Sequence, residues 1–282
     1  MIDTTTVKVY ESSSRRRQGI RIWKSIALDI WNSRELVFRL IARDISVRYK
    51  QSVLGYAWAL LFPLATASLF TYLVSARVLP TGDPVLPYPL FALWSISVWQ
   101  LFASTLLSST SSLVNAGSLI TKVNFPAHAL VIAAIGQSLF DFFLRLIPVS
   151  LLFIWYGYLP PSAALAIPLI IAPMLILAIG LGFFFSILNL VIRDIGNAMG
   201  IILTFGMFAT PVLYPAPVSS PFYLVNIINP VSPFIIATQD LLTFGNLLHI
   251  DLLIIACLFS LVIFLVGIRL FSLALPRAIE RA

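Results

Sequence analysis

The chain has 282 residues, of which 60% are hydrophobic and only 10% are charged, and its mean hydropathy is +0.99. Soluble domains carry about 25% charged residues, so this composition excludes a soluble globule, and its apolar content excludes a disordered chain. The net charge of +7 is concentrated, since eleven of the 18 Lys and Arg residues lie within the first 50 positions.

The N-terminal residues form the basic part of the chain. A cluster of Lys and Arg beside apolar segments is typical of the cytoplasmic side of a membrane, where anionic lipid attracts it. We therefore interpret residues 1–30 as a cytoplasmic arm next to the bilayer, and not as a nucleic-acid-binding surface.

Residues 31–52 have the pattern of an amphipathic helix. The basic side chains occupy other faces, and Glu35–Arg39 and Asp44–Arg48 have i,i+4 spacing. The apolar residues at helical spacing are Val37, Phe38, Ile41, Ile45 and Tyr49. Such a helix is expected to lie in the headgroup plane, either as a topology anchor alone or as a docking surface for a cytoplasmic partner.

Six later segments are long and apolar enough to cross the hydrocarbon core, which takes roughly 20 residues. The predicted spans are about 53–78, 88–113, 128–156, 163–192, 195–214 and 249–273. Residues 215–248 are apolar but are divided by Pro217, Pro221, Pro230, Pro233 and Gly245, so we predict re-entrant or interfacial helices there. The expected fold is an all-α polytopic membrane protein whose residues 53–282 form a six-span transmembrane domain.

The distribution of positive charge predicts the orientation. With the N-terminus inside, the cytoplasmic segments hold all eleven N-terminal charges together with Lys122, Arg193, Arg269, Arg277 and Arg281. The outer segments hold only Arg77, and Arg145 lies within a span. This bias favours a multi-pass protein with both termini in the cytoplasm.

Asp141 and Arg145 are charged residues inside the third predicted span. Charges within a span are costly and are therefore candidate functional groups. Their i,i+4 spacing lets each neutralise the other. The sequence leaves two interpretations open, a structural pair facing the bundle interior and a pair lining a transport pathway.

Small and aromatic residues give further candidates. The second span ends in hydroxyl residues between Ser104 and Ser112, and the fifth begins with Gly196 and Gly200; close helix packing is the simplest interpretation of both sets, although the hydroxyls would also suit a conduit wall. The mid-span aromatic residues suit lipid contact, core packing or stacking on sugar rings. They include Phe62, Phe70, Phe205 and Phe208.

Several kinds of chemistry are missing from the sequence. No Gly-Lys pair occurs, so the chain has no P-loop of its own, and it has no Gly-x-Ser-x-Gly or His-Glu-x-x-His motif. His128 and His249 stand at the ends of separate spans and are interpreted as interfacial residues, not metal ligands, and Cys257 is the single cysteine. We predict neither an enzyme nor a metal site.

Ordered motifs resemble a known family. These are IARDISVRYKQSVLGYAW (41–58), LITKVNFP (119–126), RDIG (193–196), TPVLYP (210–215) and NP (229–230). Together they resemble the permeases of ABC-2 type transporters, in particular the exporters of polysaccharide, O-antigen and teichoic acid. The resemblance covers nearly the whole chain after about residue 30.

The resemblance implies partners and site residues. It implies a homodimer in the bacterial inner membrane, joined by two copies of a separate cytoplasmic ABC ATPase that binds the ATP and Mg²⁺, with no cofactor on this chain. The residues that would contact the ATPase are Arg43, Asp44, Arg48, Tyr49, Thr121, Lys122, Asn124, Phe125 and Pro126. The first and fifth spans would frame the conduit, with candidate lining residues Tyr56, Phe62, Phe70, Phe205, Phe208 and Tyr214.

The expected cargo is a lipid-linked polysaccharide similar to O-antigen. Teichoic acid, capsule or a small-molecule drug are the alternatives within the family. A membrane enzyme acting on lipid-linked sugars would need spaced acids or histidines on facing spans, which the sequence lacks, and a non-catalytic scaffold would have no ATPase partner.

Overall fold

The computed structural model describes residues 30–50, 57–78, 85–117, 127–215 and 228–279, together with Leu28 and Asn226, and all the regular elements in these ranges are helices. In chain order they are α1 (Arg34–Lys50), α2 (Ala57–Ser75), α3 (Tyr88–Ala116), α4 (Ala127–Trp155), a 3₁₀ helix (Ser162–Ala166), α5 (Ile167–Val191), α6 (Asp194–Ala209), α7 (Ser232–Thr243) and α8 (Ile250–Ile279). This confirms the all-α prediction.

Five of the described helical segments are long and apolar enough to cross a membrane: α2, α3, α4, the 3₁₀ helix continued by α5, and α8. The predicted fifth span corresponds to α6, which has 16 residues. It extends about 24 Å, less than the roughly 30 Å of the hydrocarbon core. The prediction of helix up to residue 214 was too long, because the chain turns at Thr210, directly before Pro211. The count of six spans stays a prediction.

Helix α3 is the centre of the bundle. Leu90, Ile96 and Leu101 are fully buried along its length, and it packs against both α4 and α5, while α5 packs against α8. The other helices lie around α3, α4 and α5.

Two glycines allow α5 and α8 to cross closely. A Cβ atom on Gly180 would lie 2.6 Å from the Cα atom of Phe264, and one on Gly267 would collide with the carbonyl oxygen of Gly180. Backbone-to-backbone contact of this kind is typical of membrane helix pairs with small residues at the crossing.

The hydroxyl residues of α3 serve helix packing. Thr105, Ser109 and Thr110 are fully buried, and a Cβ atom on Gly182 of α5 would collide with Ser109. The Ser109 hydroxyl donates to the carbonyl of Val131 in α4 at 3.2 Å. Ser109 therefore joins α3 to α4 and α5, whereas the hydroxyls of Thr105 and Thr110 donate within α3 to the carbonyls of Leu101 and Leu106.

The amphipathic helix α1 packs against α4. Leu40 is buried, and Ile41 fills the space beside Gly136. Phe38, which the periodicity grouped with the apolar residues, is 71% exposed. Fewer of the apolar residues of α1 therefore contact protein than the periodicity predicted.

Candidate functional site

Helices α2 and α6, the predicted first and fifth spans, leave most of their surface uncovered. Within the described part of the chain, α2 buries only Pro63 and Ala67. Helix α6 buries only Met199, Leu203 and Met207. Both helices contact α3.

The uncovered side chains of these two helices include aromatic and polar groups beside aliphatic ones such as Leu69 and Ile201. On α2 they include Trp58, Phe62, Ser68 and Tyr72, and on α6 they include Asn197, Thr204, Phe205 and Phe208. We call these eight residues the mixed face. The exposed side of α8 is different, because its residues are mainly aliphatic, among them Ile254, Ile255, Leu258 and Val262. Purely aliphatic surface suits lipid, whereas aromatic rings with hydroxyls and amides also suit a polar substrate.

Most of the predicted lining residues lie on or beside the mixed face. The rings of Phe70 and Phe208 are 6.2 Å apart at 44°. Tyr214, just beyond α6, donates a hydrogen bond to the carbonyl of Phe208 at 3.4 Å, and burial raises the pKa of its phenol. Tyr56 lies outside the described residues.

Arg43 and Asp44 form an exposed ion pair on α1. Two guanidinium nitrogens of Arg43, Nε and Nη2, contact Asp44 Oδ1 at 2.9 Å and 2.8 Å. The side chains are 47% and 36% exposed, so they are accessible to a partner. Arg48 and Tyr49 follow in the last turn of the same helix.

The remaining predicted ATPase contacts, Thr121, Lys122, Asn124, Phe125 and Pro126, lie outside the described residues. The two helix ends that flank them, the end of α3 and the start of α4, are described, and α4 packs against α1. Leu40 shares one hydrophobic cluster with Leu113, Ala116, Ala127 and Leu130. We call these five residues the coupling cluster, because it joins α1 to both ends of the predicted coupling segment.

His128 follows the predicted coupling segment by two residues and is buried. Its Nε2 atom is 3.0 Å from the hydroxyl of Ser272 in α8. Because that hydroxyl donates its own proton to the carbonyl of Ile268 at 2.8 Å, the Nε2–H of His128 is the donor in the first bond. The imidazole also packs against the rings of Phe183 and Phe271, which contact each other. The interfacial position predicted for His128 is therefore a buried junction of α4, α5 and α8.

Asp141 and Arg145 are both buried in the bundle, at 2% and 5% exposure. The Nε atom of Arg145 donates to the carbonyl of Ala59 in α2 at 3.4 Å. Arg145 therefore ties the predicted third span to the first, which suits the interior orientation. The ion pair between Asp141 and Arg145 stays a prediction.

A group of hydrogen bonds that the sequence interpretation missed holds α7 against α3 and the end of α6. Gln239 Nε2 donates to Ser95 Oγ at 2.9 Å and to the carbonyl of Pro211 at 2.8 Å. The indole N–H of Trp94 donates to Thr238 Oγ1 at 3.2 Å. We call these five residues the polar collar. The polar triplet at 238–240 in an otherwise apolar stretch was the available signal.

Two further contacts extend the attachment of this region. The Tyr88 hydroxyl donates to the carbonyl of Leu213 at 2.8 Å, and Asn229 Nδ2 donates to Thr210 Oγ1 at 2.8 Å. They give structural roles to the TPVLYP and NP motifs, because both motifs hold the turn after α6 in place.

Asp240 fixes the approach to the last span. Its Oδ2 atom accepts the main-chain N–H of Leu248 at 3.1 Å. Burial raises the pKa of this carboxyl, against the opposing effects of the Leu248 hydrogen bond and the nearby His249. Among the residues that the structure describes, no three His, Cys, Asp or Glu side chains are grouped so that they could bind one metal ion.

Residues 35–243, from α1 to the end of α7, match the family model described as "ABC-2 type transporter". The chain belongs to this family. This ABC-2 type chain is 30% identical over 243 residues to a Klebsiella pneumoniae protein named O-antigen export system permease protein RfbA, covering 84% of the chain and 91% of the relative. It is 28% identical over 187 residues to a Myxococcus xanthus protein of the same name, covering 66% and 71%.

These comparisons confirm the resemblance inferred from the motifs. Members of the family are membrane subunits of transporters. The chain is accordingly a multi-pass transport subunit.

Proposed function

We propose that this chain is the permease subunit of an ATP-driven exporter that moves a lipid-linked polysaccharide similar to O-antigen across the bacterial inner membrane. The observation that carries the proposal is the similarity to O-antigen export permeases over 84% of the chain. The mixed face supports it, because a glycan has polar hydroxyls and apolar ring faces, and both kinds of partner group are exposed there.

The working unit in this proposal is a homodimer with two cytoplasmic ABC ATPase subunits, which bind the ATP and Mg²⁺. A twofold axis would bring two mixed faces opposite each other. Each chain supplies one wall of the conduit, and the aliphatic side of α8 faces lipid. Both termini lie in the cytoplasm, as the positive charge distribution predicts.

The coupling cluster is the proposed route from ATP hydrolysis to the spans. Arg43 and Asp44 are accessible to the ATPase, and Leu40, one turn away, belongs to the hydrophobic cluster that also contains the ends of α3 and α4. A displacement of α1 and of the segment around Phe125 is therefore delivered to both helices together. Packed helices switch between discrete arrangements instead of deforming continuously, so the spans move as units between closed and open states.

The experiment is deletion of the gene in its source bacterium, followed by complementation. The proposal predicts that glycan disappears from the cell surface and accumulates inside on its lipid carrier. Wild-type chain restores export, and Phe125→Asp inserts into the membrane without restoring it. Phe259→Asn, on the lipid-facing side of α8, is the matched polar substitution and restores export.

Other outcomes would change the assignment. If the deletion abolishes teichoic acid, capsule or drug resistance and leaves the O-antigen-like glycan intact, the cargo is that other substrate and not the glycan. A glycan whose structure is altered, while its surface amount is normal, would indicate a membrane enzyme.

A further inference from the structure

A groove lies between the C-terminal part of α4 and the N-terminal part of α5, and no residue of α2 is among its lining residues. Its volume is about 840 Å³, and its walls include Leu146 of α4, Ile171 of α5 and Leu165 of the 3₁₀ helix. We call this space the lateral groove. Its lining is almost entirely apolar, and among the described residues that line it Ser150 and Ser162 carry the hydroxyl side chains.

The mouth of the lateral groove opens away from the protein. Leu165 is 86% exposed and Phe143 is 62% exposed, and both line the groove. Both wall helices are candidate membrane spans. The mouth is therefore continuous with the membrane-facing surface of α4 and α5, and hydrocarbon is what it meets in a bilayer.

The size and chemistry of the groove select the occupant. Water would make few hydrogen bonds in the groove, because ordered internal water needs several polar partners. An empty groove would leave its apolar walls without van der Waals contacts. The α4 residues that line it run from Leu139 to Phe153, about 21 Å along the helix at 1.5 Å per residue. One leaflet of hydrocarbon is about 15 Å thick, so an acyl chain can follow most of the groove.

We propose that the lateral groove binds an acyl chain of a membrane phospholipid. This acyl chain packs against α7, which belongs to the predicted re-entrant region. Trp94 lies at the inner end of the groove and donates its indole N–H to Thr238 of α7. Leu242 of α7 also lines the groove. The lipid chain thus contacts Trp94, one member of a polar-collar bond, and Leu242 on α7, the helix that carries the other member. This holds whatever cargo the protein exports.

Tryptophan quenching by brominated phospholipid tests the proposal. The full-length protein is prepared with Trp94 as its only tryptophan, and separately with Trp99 as its only tryptophan, the others being replaced by Phe. Both residues lie on α3 and are buried, at 7% and 4% exposure, but only Trp94 lines the groove. In phosphatidylcholine vesicles with bromine in the middle of the acyl chains, we expect Trp94 emission to be quenched several-fold more than Trp99 emission.

Filling the groove provides the second arm. In the Trp94-only protein, Ala172→Phe and, separately, Ala164→Phe place a ring in the groove, and either is expected to remove most of the quenching. Equal quenching of Trp94 and Trp99 would overturn the proposal, since it means that protein covers the groove, either another segment of this chain or a second copy. Quenching of Trp94 that persists in a folded Phe variant would overturn it as well.

Discussion

The rings of Phe70 in α2 and Phe208 in α6 lie 6.2 Å apart, and they join two helices that bury few of their residues within the described part of the chain. We predict that Phe70→Ala and Phe208→Ala each reduce export several-fold. Each removes an aromatic surface next to the proposed conduit and a contact worth about 0.5–1.5 kcal/mol, too little to prevent folding. The measurement is surface glycan relative to the amount of permease in the membrane.

Phe259→Ala is the matched control, because Phe259 is exposed on α8 and not on the mixed face. It should export as wild type does. The assignment of the conduit fails if Phe259→Ala loses as much export as Phe208→Ala, or if the Phe70→Ala, Phe208→Ala double variant retains full export.

A substitution in the Arg43–Asp44 ion pair should change ATPase binding without changing the stability of the permease. Exposed ion pairs contribute about 0–1 kcal/mol, so Arg43→Ala should leave the thermal unfolding temperature in detergent unchanged. It should reduce the amount of ATPase that co-purifies with the permease, because it removes an accessible charge from the proposed contact.

Arg39→Ala is the control for this prediction. Arg39 forms a similar exposed ion pair with Glu35 on the same helix, 2.6 Å between Nη2 and Oε1, but it lies outside the motif. If the two variants retain the same amount of ATPase, Arg43 does not belong to the contact with the ATPase.

Hydropathy predicted where the spans lie but not what surrounds each of them. The most apolar stretches of α2 and α3 are almost equally hydrophobic, yet 11% of the first and 83% of the second are buried within the described part of the chain. A leucine in a span has the same hydropathy whether its neighbour is lipid or protein, so the central position of α3 was not predictable from composition.

The close crossing of α5 and α8 predicts a strong effect of a small change. Gly180→Ala adds a methyl group that would lie 2.6 Å from the Cα atom of Phe264. Overpacking of this kind costs about 1–3 kcal/mol, so the unfolding temperature in detergent should fall by several degrees.

Gly200→Ala adds the same group to α6, where no described atom lies within 4 Å and the glycine has ordinary helical φ. Because alanine is the better helix former, this variant should be as stable as wild type or slightly more so. An equal loss of stability in the two variants would contradict the crossing geometry.

The polar collar predicts energetic coupling between Gln239 and Ser95, which are 2.9 Å apart. Gln239→Leu leaves the buried Ser95 hydroxyl and Pro211 carbonyl without this donor, at a cost of about 1–3 kcal/mol. In a double-mutant cycle with Ser95→Ala, the two effects should be non-additive by about 0.5–3 kcal/mol, measured as free energies of unfolding. Additive effects would mean that the bond contributes nothing to the attachment of α7.

These contacts explain why the site was only partly predictable. Arg43 and Asp44 lie on α1, Phe62 and Phe70 on α2, and Phe205 and Phe208 on α6, and the roles assigned to them stay predictions. Gln239 and Ser95 are 144 residues apart, and His128 and Ser272 are separated by the same distance in sequence. No local pattern specifies which buried polar groups meet across such distances, because the choice is made by helix packing.

Transport in proteoliposomes tests the central claim most directly. The permease is reconstituted with its ATPase and lipid-linked glycan, and movement of the glycan is followed by its access to a glycan-cleaving enzyme on one side of the membrane. We predict that the glycan changes sides only when permease, ATPase and hydrolysable ATP are all present. Movement without the ATPase or without ATP, or ATP hydrolysis by the purified permease alone, would contradict the account.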